Sequence, residues 1–206
     1  MESTAIQKKP GARTGAAPKQ PRRISWQEFQ NRYMERENGY KYEWVNGIVE
    51  KTKCTMNPNQ LFIQRNLTSF FWQLLNDGKV HGGLLAEPDL LLFDEHHRRP
   101  DMAWLTNEQI DNLAVEGVIE VPAFVIEVIS NNDAAAKLVD KMEDYRKAGV
   151  QVVWQIYPKI RQIQVYSGKN LRHSTVLIGD EICSAAPVLP AFELAVNEVF
   201  KTSTVL

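Results

Sequence analysis

The sequence predicts an α/β (α+β) fold with a mixed central β-sheet flanked by helices. Three observations carry this. Ala123-Phe124-Val125-Ile126-Glu127-Val128-Ile129 is an apolar run of strand length interrupted by one carboxylate, and such a run marks a central strand covered on both faces. A helix expected from about Asp133 to Lys147, stopped by Ala148-Gly149, leads into a second apolar strand, Val152–Tyr157. A helical crossover between strands of one sheet makes them parallel. Pro158-Lys159 then turns the chain into Ile160–Tyr166, which completes a β-α-β-β order.

The other elements follow from local signals. Ser25 and Glu28 form an S-x-x-E capping box, Ile24 and Phe29 are placed to staple it, and a short helix should run to about Glu37 before Gly39. Tyr42–Val45 and Ile48–Glu50 flank Asn46-Gly47, a hairpin signal because both turn residues tolerate positive φ. Asn57-Pro58 opens a helix in which Leu61, Leu67, Phe70, Phe71, Leu74 and Leu75 recur near helical spacing, with Asp77-Gly78 as its stop. Phe70, Phe71 and Trp72 read as core rather than as a base-stacking platform. Strands are expected at about 79–86, 88–93 and 101–105, with Asp94–Arg99 as a charged loop, and Thr106 or Asn107 should cap a short helix through Leu113. The last 40 or so residues read as short strands and a terminal helix near Val196–Thr202.

Composition bounds the function. With 206 residues, 44% hydrophobic and 24% charged, the chain suits one soluble domain, which excludes a wholly disordered or fibrous protein. The net charge of −1 hides an asymmetry. Residues 1–23 carry six basic residues against Glu2, a charge of +5, which leaves −6 for residues 24–206. The tail is too polar to bury itself and is expected to be disordered, either a solvated leader or an arm for DNA phosphates. The acidic body argues against a large basic groove and suits carboxylates gathered at a metal site. Cys54 and Cys183 are too few for a disulfide framework or a zinc finger. No apolar run approaches the roughly 18 residues of a membrane span, and no secretory signal is evident, so a cytoplasmic protein without a membrane partner is expected.

Chemistry points to acids on apolar strands. Glu127 sits inside a buried run, where a carboxylate is costly unless paired, protonated or bound to a cation. Asp101 follows Pro100 at the start of another strand; if the two strands are neighbours, both carboxylates reach one site. Two hard oxygen ligands completed by water and a backbone carbonyl suit Mg²⁺ or Mn²⁺. Pro88-Asp89 is a rival Pro-Asp pair that could instead cap a turn. Lys137 and Lys141 share a helix face behind Glu127, and by spacing either could return over the strand end to hold a water or stabilise a phosphoryl oxygen. His81, His96, His97 and His173 lack metal-ligand spacing apart from the adjacent pair, which reads as solvated.

Arg99-Pro100-Asp101, Val125–Ser130, Lys141, Tyr145, Gly149-Val150 and Trp154, in this order, resemble the Uma2 family of restriction-endonuclease-like proteins in the PD-(D/E)xK nuclease superfamily. Tyr42–Glu50 resembles that family's opening hairpin, and the resemblance spans about residues 24–195. It implies a restriction-endonuclease-like fold. Asp101 and Glu127 would hold the metal, with the Val128 carbonyl as a third ligand and Glu43 bound directly or through water. Lys141 would orient or help deprotonate the attacking water. The basic superfamily pattern puts a lysine two residues after the acid; Ile129 stands there, so the lysine moves to the helix as it does across the family. The sequence also departs from the family. Asn59-Gln60 stands where members often carry histidine, Lys137 where they often carry aspartate, and Tyr157-Pro158 replaces a common Asp-Pro. The expectation is a Mg²⁺-dependent endonuclease cutting DNA, and a homodimer by analogy with the superfamily. Alternatives are a catalytically impaired nuclease-fold module that binds DNA or regulates, and a structural protein with salt-bridged acids.

Overall fold

In the computed structural model, residues 21–53, 58–115, 118–130 and 134–202 are described. The basic tail up to residue 20, Cys54, Asn57 and Asp133 lie outside them.

Helix α1 (Trp26–Phe29) continues as a π-helical segment, Gln30–Met34, and stops short of Glu37. The Ser25 hydroxyl accepts the Glu28 N–H at 3.1 Å. The Glu28 carboxylate instead pairs with Arg22 and Arg32, at 3.1 and 2.5 Å. Strands β1 (Tyr40–Val45) and β2 (Ile48–Lys53) form the expected hairpin, with φ of +50° at Asn46 and +75° at Gly47. Helix α2 (Pro58–Asn76) buries Ile63, Leu67, Phe71 and Leu74. Trp72, expected in the core, is 57% exposed because it lies off that stripe.

Strands β3 (Gly83–Ala86), β4 (Leu90–Phe93), β5 (His96–Arg98) and β6 (Met102–Leu105) follow. The first begins later than expected, since Gly82 at φ +74° turns the chain before it. The charged stretch expected as a loop contains β5. It pairs with β4 and β1, and the Asn46 N–H donates to the Glu95 carbonyl at 2.8 Å. Thr106 caps α3 (Asn107–Asn112) in a full capping box with Gln109. Then come β7 (Phe124–Val128), α4 (Ala135–Ala148) ended by Gly149 at φ +92°, β8 (Val152–Tyr157) and β9 (Gln162–Ser167). Strands β10 (His173–Ile178), β11 (Ile182–Ala185) and β12 (Leu189–Ala195) and helix α5 (Val196–Val199) complete the described chain. No helix among the described residues is long and apolar enough to cross a membrane.

The central six-stranded sheet has the order β10-β9-β8-β7-β6-β3. Strands β7 and β8 are parallel, as the crossover through α4 requires, and the other pairs are antiparallel. A four-stranded sheet, β2-β1-β5-β4, and the β11-β12 ribbon stand beside it. The inner strands of the central sheet, β6, β7 and β8, are buried on both faces. Phe124, Ile126, Trp154 and Met102 pack with α2 and Phe192 of β12. Val125, Val153 and Ala103 pack on the other face with Met142 and Tyr145 of α4 and Leu90 and Leu92 of β4. Side chains along a strand alternate between faces, so Glu127 shares the face of Val125 and meets α4.

Candidate active site

Strands β6 and β7 are antiparallel neighbours with Met102 opposite Ile126. Asp101, just before β6, therefore lies beside the C-terminal end of β7. One Asp101 oxygen accepts the Val128 N–H at 2.7 Å. The other accepts from Lys41 Nζ at 2.9 Å. A residue's N–H and C=O point to the same side of its strand, so the Val128 carbonyl also faces Asp101.

Glu127 is 6% exposed. Its Oε1 accepts from Lys141 Nζ at 2.9 Å and from the Tyr145 hydroxyl at 2.5 Å. One helical turn separates Lys141 from Tyr145, so both reach the same carboxylate. Glu43 on β1 completes the cluster. Its Oε1 lies 3.1 Å from Lys141 Nζ and accepts the Arg99 N–H at 2.9 Å, while Oε2 accepts from Arg98 at 3.3 Å. Asp101, Glu127, Glu43 and Lys141 thus line one cleft together with Lys41, Met102 and Val128. Lys137 lines its outer part, half exposed, 3.5 Å from Glu50.

Burial and charge set the protonation of these groups. Burial opposes ionisation of Glu43, but Lys141, Arg98 and Lys41 outweigh it and hold the carboxyl at about 2. Glu127 is pushed upward, first by burial and then by the neighbouring charge of Asp101, against the pull of Lys141. Burial works against the Lys141 charge, yet Glu127 and Glu43 raise its affinity for the proton well above the ordinary lysine value. Lys41 behaves alike: burial opposes its charge, and Asp101 together with Glu127 and Glu43 more than restores it.

Several participants escaped the sequence reading. Arg98 is 1% exposed and grips Asp144 of α4 with Nε at 2.8 Å. Its second terminal nitrogen lies 2.6 Å from the same Asp144 oxygen, a charge contact rather than an aligned hydrogen bond. The histidine pair is not solvated. His97 is 1% exposed, sits 5.0 and 5.5 Å from the rings of Phe29 and Trp26, and places Nε2 3.0 Å from Asp89. Asp89 is thereby committed to His97 and Arg99 and does not enter the cleft. Lys41 could have been found, since strand alternation puts it on the face of Glu43, opposite Tyr42 and Trp44, which enter the aromatic cluster around Phe29.

Among the described residues, no group of three or more His, Cys, Asp and Glu side chains is arranged to hold a metal ion. The available donor set is two carboxylates and one backbone carbonyl. That set suits Mg²⁺, which keeps several waters and takes one or two carboxylates. The upward push on Glu127 is a further fit, because a bound cation relieves a buried acid of its desolvation cost.

This arrangement of sheet and flanking helices has a counterpart among solved structures. A crystal structure of a putative nuclease from Anabaena variabilis, belonging to DUF820, matches with a TM-score of 0.69. The match covers 86% of this chain and 97% of that one at 18% sequence identity, a likeness of fold. No curated protein matches the chain. The model of the Uma2 family, described as putative restriction endonuclease, matches residues 26–197, and the chain belongs to that family.

Proposed function

We propose that this protein is a Mg²⁺- or Mn²⁺-dependent endonuclease that hydrolyses DNA phosphodiester bonds. The supporting observation is that Asp101, Glu127 and Lys141 meet in one cleft although they come from three separate elements. Asp101, Glu127 and the Val128 carbonyl would hold the ion, which when bound acidifies water and offsets charge on the phosphoryl oxygens. Lys141, kept as an ammonium by its two acids, acts as a donor: it orients the attacking water and stabilises charge gathering on the phosphate. A lysine held so firmly protonated is a poor base, so its role narrows to orientation and electrostatics. Glu43 has both oxygens engaged by Lys141, Arg98 and the Arg99 N–H. Its three protein donors, two of them charged, make it a positioning residue for the lysine. The Tyr145 hydroxyl fixes the Glu127 carboxylate.

One observation favours a second reading, a nuclease-fold module that binds DNA or regulates with impaired catalysis. Both oxygens of Asp101 are already taken by protein donors. Supercoiled plasmid incubated with Mg²⁺ separates the two. The proposal expects nicking by the wild type and at least about 100-fold loss in Asp101→Ala and Glu127→Ala. Equal nicking by all three would defeat the site assignment. Salt-dependent DNA binding without nicking would select the second reading.

A further inference from the structure

We infer that Lys41 is a built-in cation that occupies Asp101 and sets the threshold at which a divalent metal binds. The inference rests on the reading that Asp101 and Glu127 form a metal site.

Strand β1 aims Lys41 into the cleft. Tyr42 and Trp44 are anchored in the aromatic cluster, so the intervening residues must project from the opposite face. The Lys41 side chain is 11% exposed, against 49% for Lys137 at the rim of the same cleft. Its ammonium lies 2.9 Å from one Asp101 oxygen while the Val128 N–H holds the other. Each Asp101 oxygen thus already accepts one protein donor. Lys141 already bridges Glu127 and Glu43, so Lys41 is a second ammonium beside the same acids, and the two repel. The Val128 N–H belongs to the strand backbone whereas the Lys41 side chain can swing away, so the oxygen that Lys41 holds is the one a divalent ion can take over whole. Binding becomes an exchange of one cation for another, and its affinity is reduced by whatever the ammonium contributes to the free protein. A hydrogen bond between charged groups in a buried site is worth about one to two powers of ten in an equilibrium.

The test is Mn²⁺ binding to the full chain by calorimetry, with thermal melts in the absence and presence of Mn²⁺. Lys41→Met keeps the apolar stem and removes the charge. It should bind Mn²⁺ at least about tenfold more tightly than the wild type, melt lower without metal, and gain more in Tm when Mn²⁺ is added. Lys41→Arg, which keeps the charge, should bind close to the wild type, and Asp101→Asn should lose binding. If Lys41→Met melts without cooperativity, Lys41→Gln takes its place with the same expectations. Unchanged or weaker binding by the uncharged variant, with loss of binding in Asp101→Asn, overturns the role of Lys41 and leaves the metal site standing. Binding that Asp101→Asn does not alter, or that no variant shows, removes the metal-site reading and this inference with it.

Discussion

Replacing Arg98 with methionine is the most demanding test of the charge network. The guanidinium is 1% exposed and meets Asp144 at 2.8 Å, Glu43 at 3.3 Å and Glu50 at 3.5 Å. Methionine retains most of the buried stem, so the cavity contribution is small and the lost charge dominates. Glu43 keeps Lys141, but among the described residues Asp144 is left with the His96 ring alone, 3.7 Å away. Removing one partner of a buried pair costs about 3–5 kcal/mol, because a charge is left without compensation. For a domain of this size each kcal/mol lowers Tm by roughly 2–4 °C, so Arg98→Met should melt roughly 6–20 °C below the wild type at pH 7. Circular dichroism melts measure this directly. The double variant Arg98→Met with Asp144→Asn should recover part of the loss, since the stranded carboxylate is gone. A drop under about 3 °C, or no recovery in the double variant, would show that the network does not stabilise the fold as argued.

Three further outcomes follow. The Glu43 carboxyl falls from 4.5 to about 2 in the folded protein, so its contribution, on the order of 3 kcal/mol, is present above about pH 4.5 and lost as pH falls toward 2. The stability gap between wild type and Glu43→Gln in urea unfolding should therefore shrink from pH 6 to pH 2.5, and a constant gap contradicts the assignment. Lys141→Ala should reduce plasmid nicking about 100-fold or more while Lys137→Ala stays within about threefold, and comparable losses would move the site lysine outward. Gly82→Ala would place a Cβ 2.1 Å from the Leu105 carbonyl oxygen at φ +74°, so it should destabilise by at least about 2 kcal/mol in denaturant titration; a neutral result would mean that the backbone yields there.

Where the chain's physics is local, the sequence was legible. The run from Ala123 to Ile129, the α4 helix with its glycine stop and the strand Val152–Tyr157 announce themselves by apolar continuity and periodicity, and they give the parallel pair that carries Glu127. The meeting of Asp101, Glu127 and Lys141 was expected from order and spacing together with the family resemblance. Strand β5 was not legible, because His96, His97 and Arg98 look like a solvated loop. Arg98 is buried because Asp144, 46 residues after it, and Glu43, 55 residues before it, answer its charge. Pairing across such separations leaves no periodic trace in the chain. Trp72 and Lys41 are different cases. The first falls off the helical stripe of Leu67, Phe71 and Leu74, and the second shares the strand face of Glu43, so stricter use of the two periodicities finds both.

The charge of the acidic body also takes a different meaning. The carboxylates in and behind the cleft, Glu43, Glu50, Glu87, Asp101, Glu127 and Asp144, number six, and Lys41, Lys53, Arg98, Lys137 and Lys141 answer five of them. The site therefore holds only about −1 of the −6 outside the basic tail, and most of the acidity lies elsewhere on the domain. A site so nearly balanced attracts neither a phosphate nor a metal ion strongly alone. A divalent cation leaves it about +1, which favours a DNA phosphate, and the phosphate in turn favours the cation. Metal and DNA should therefore bind with reciprocal positive coupling, and Lys41 is the residue whose charge tunes the balance point between them.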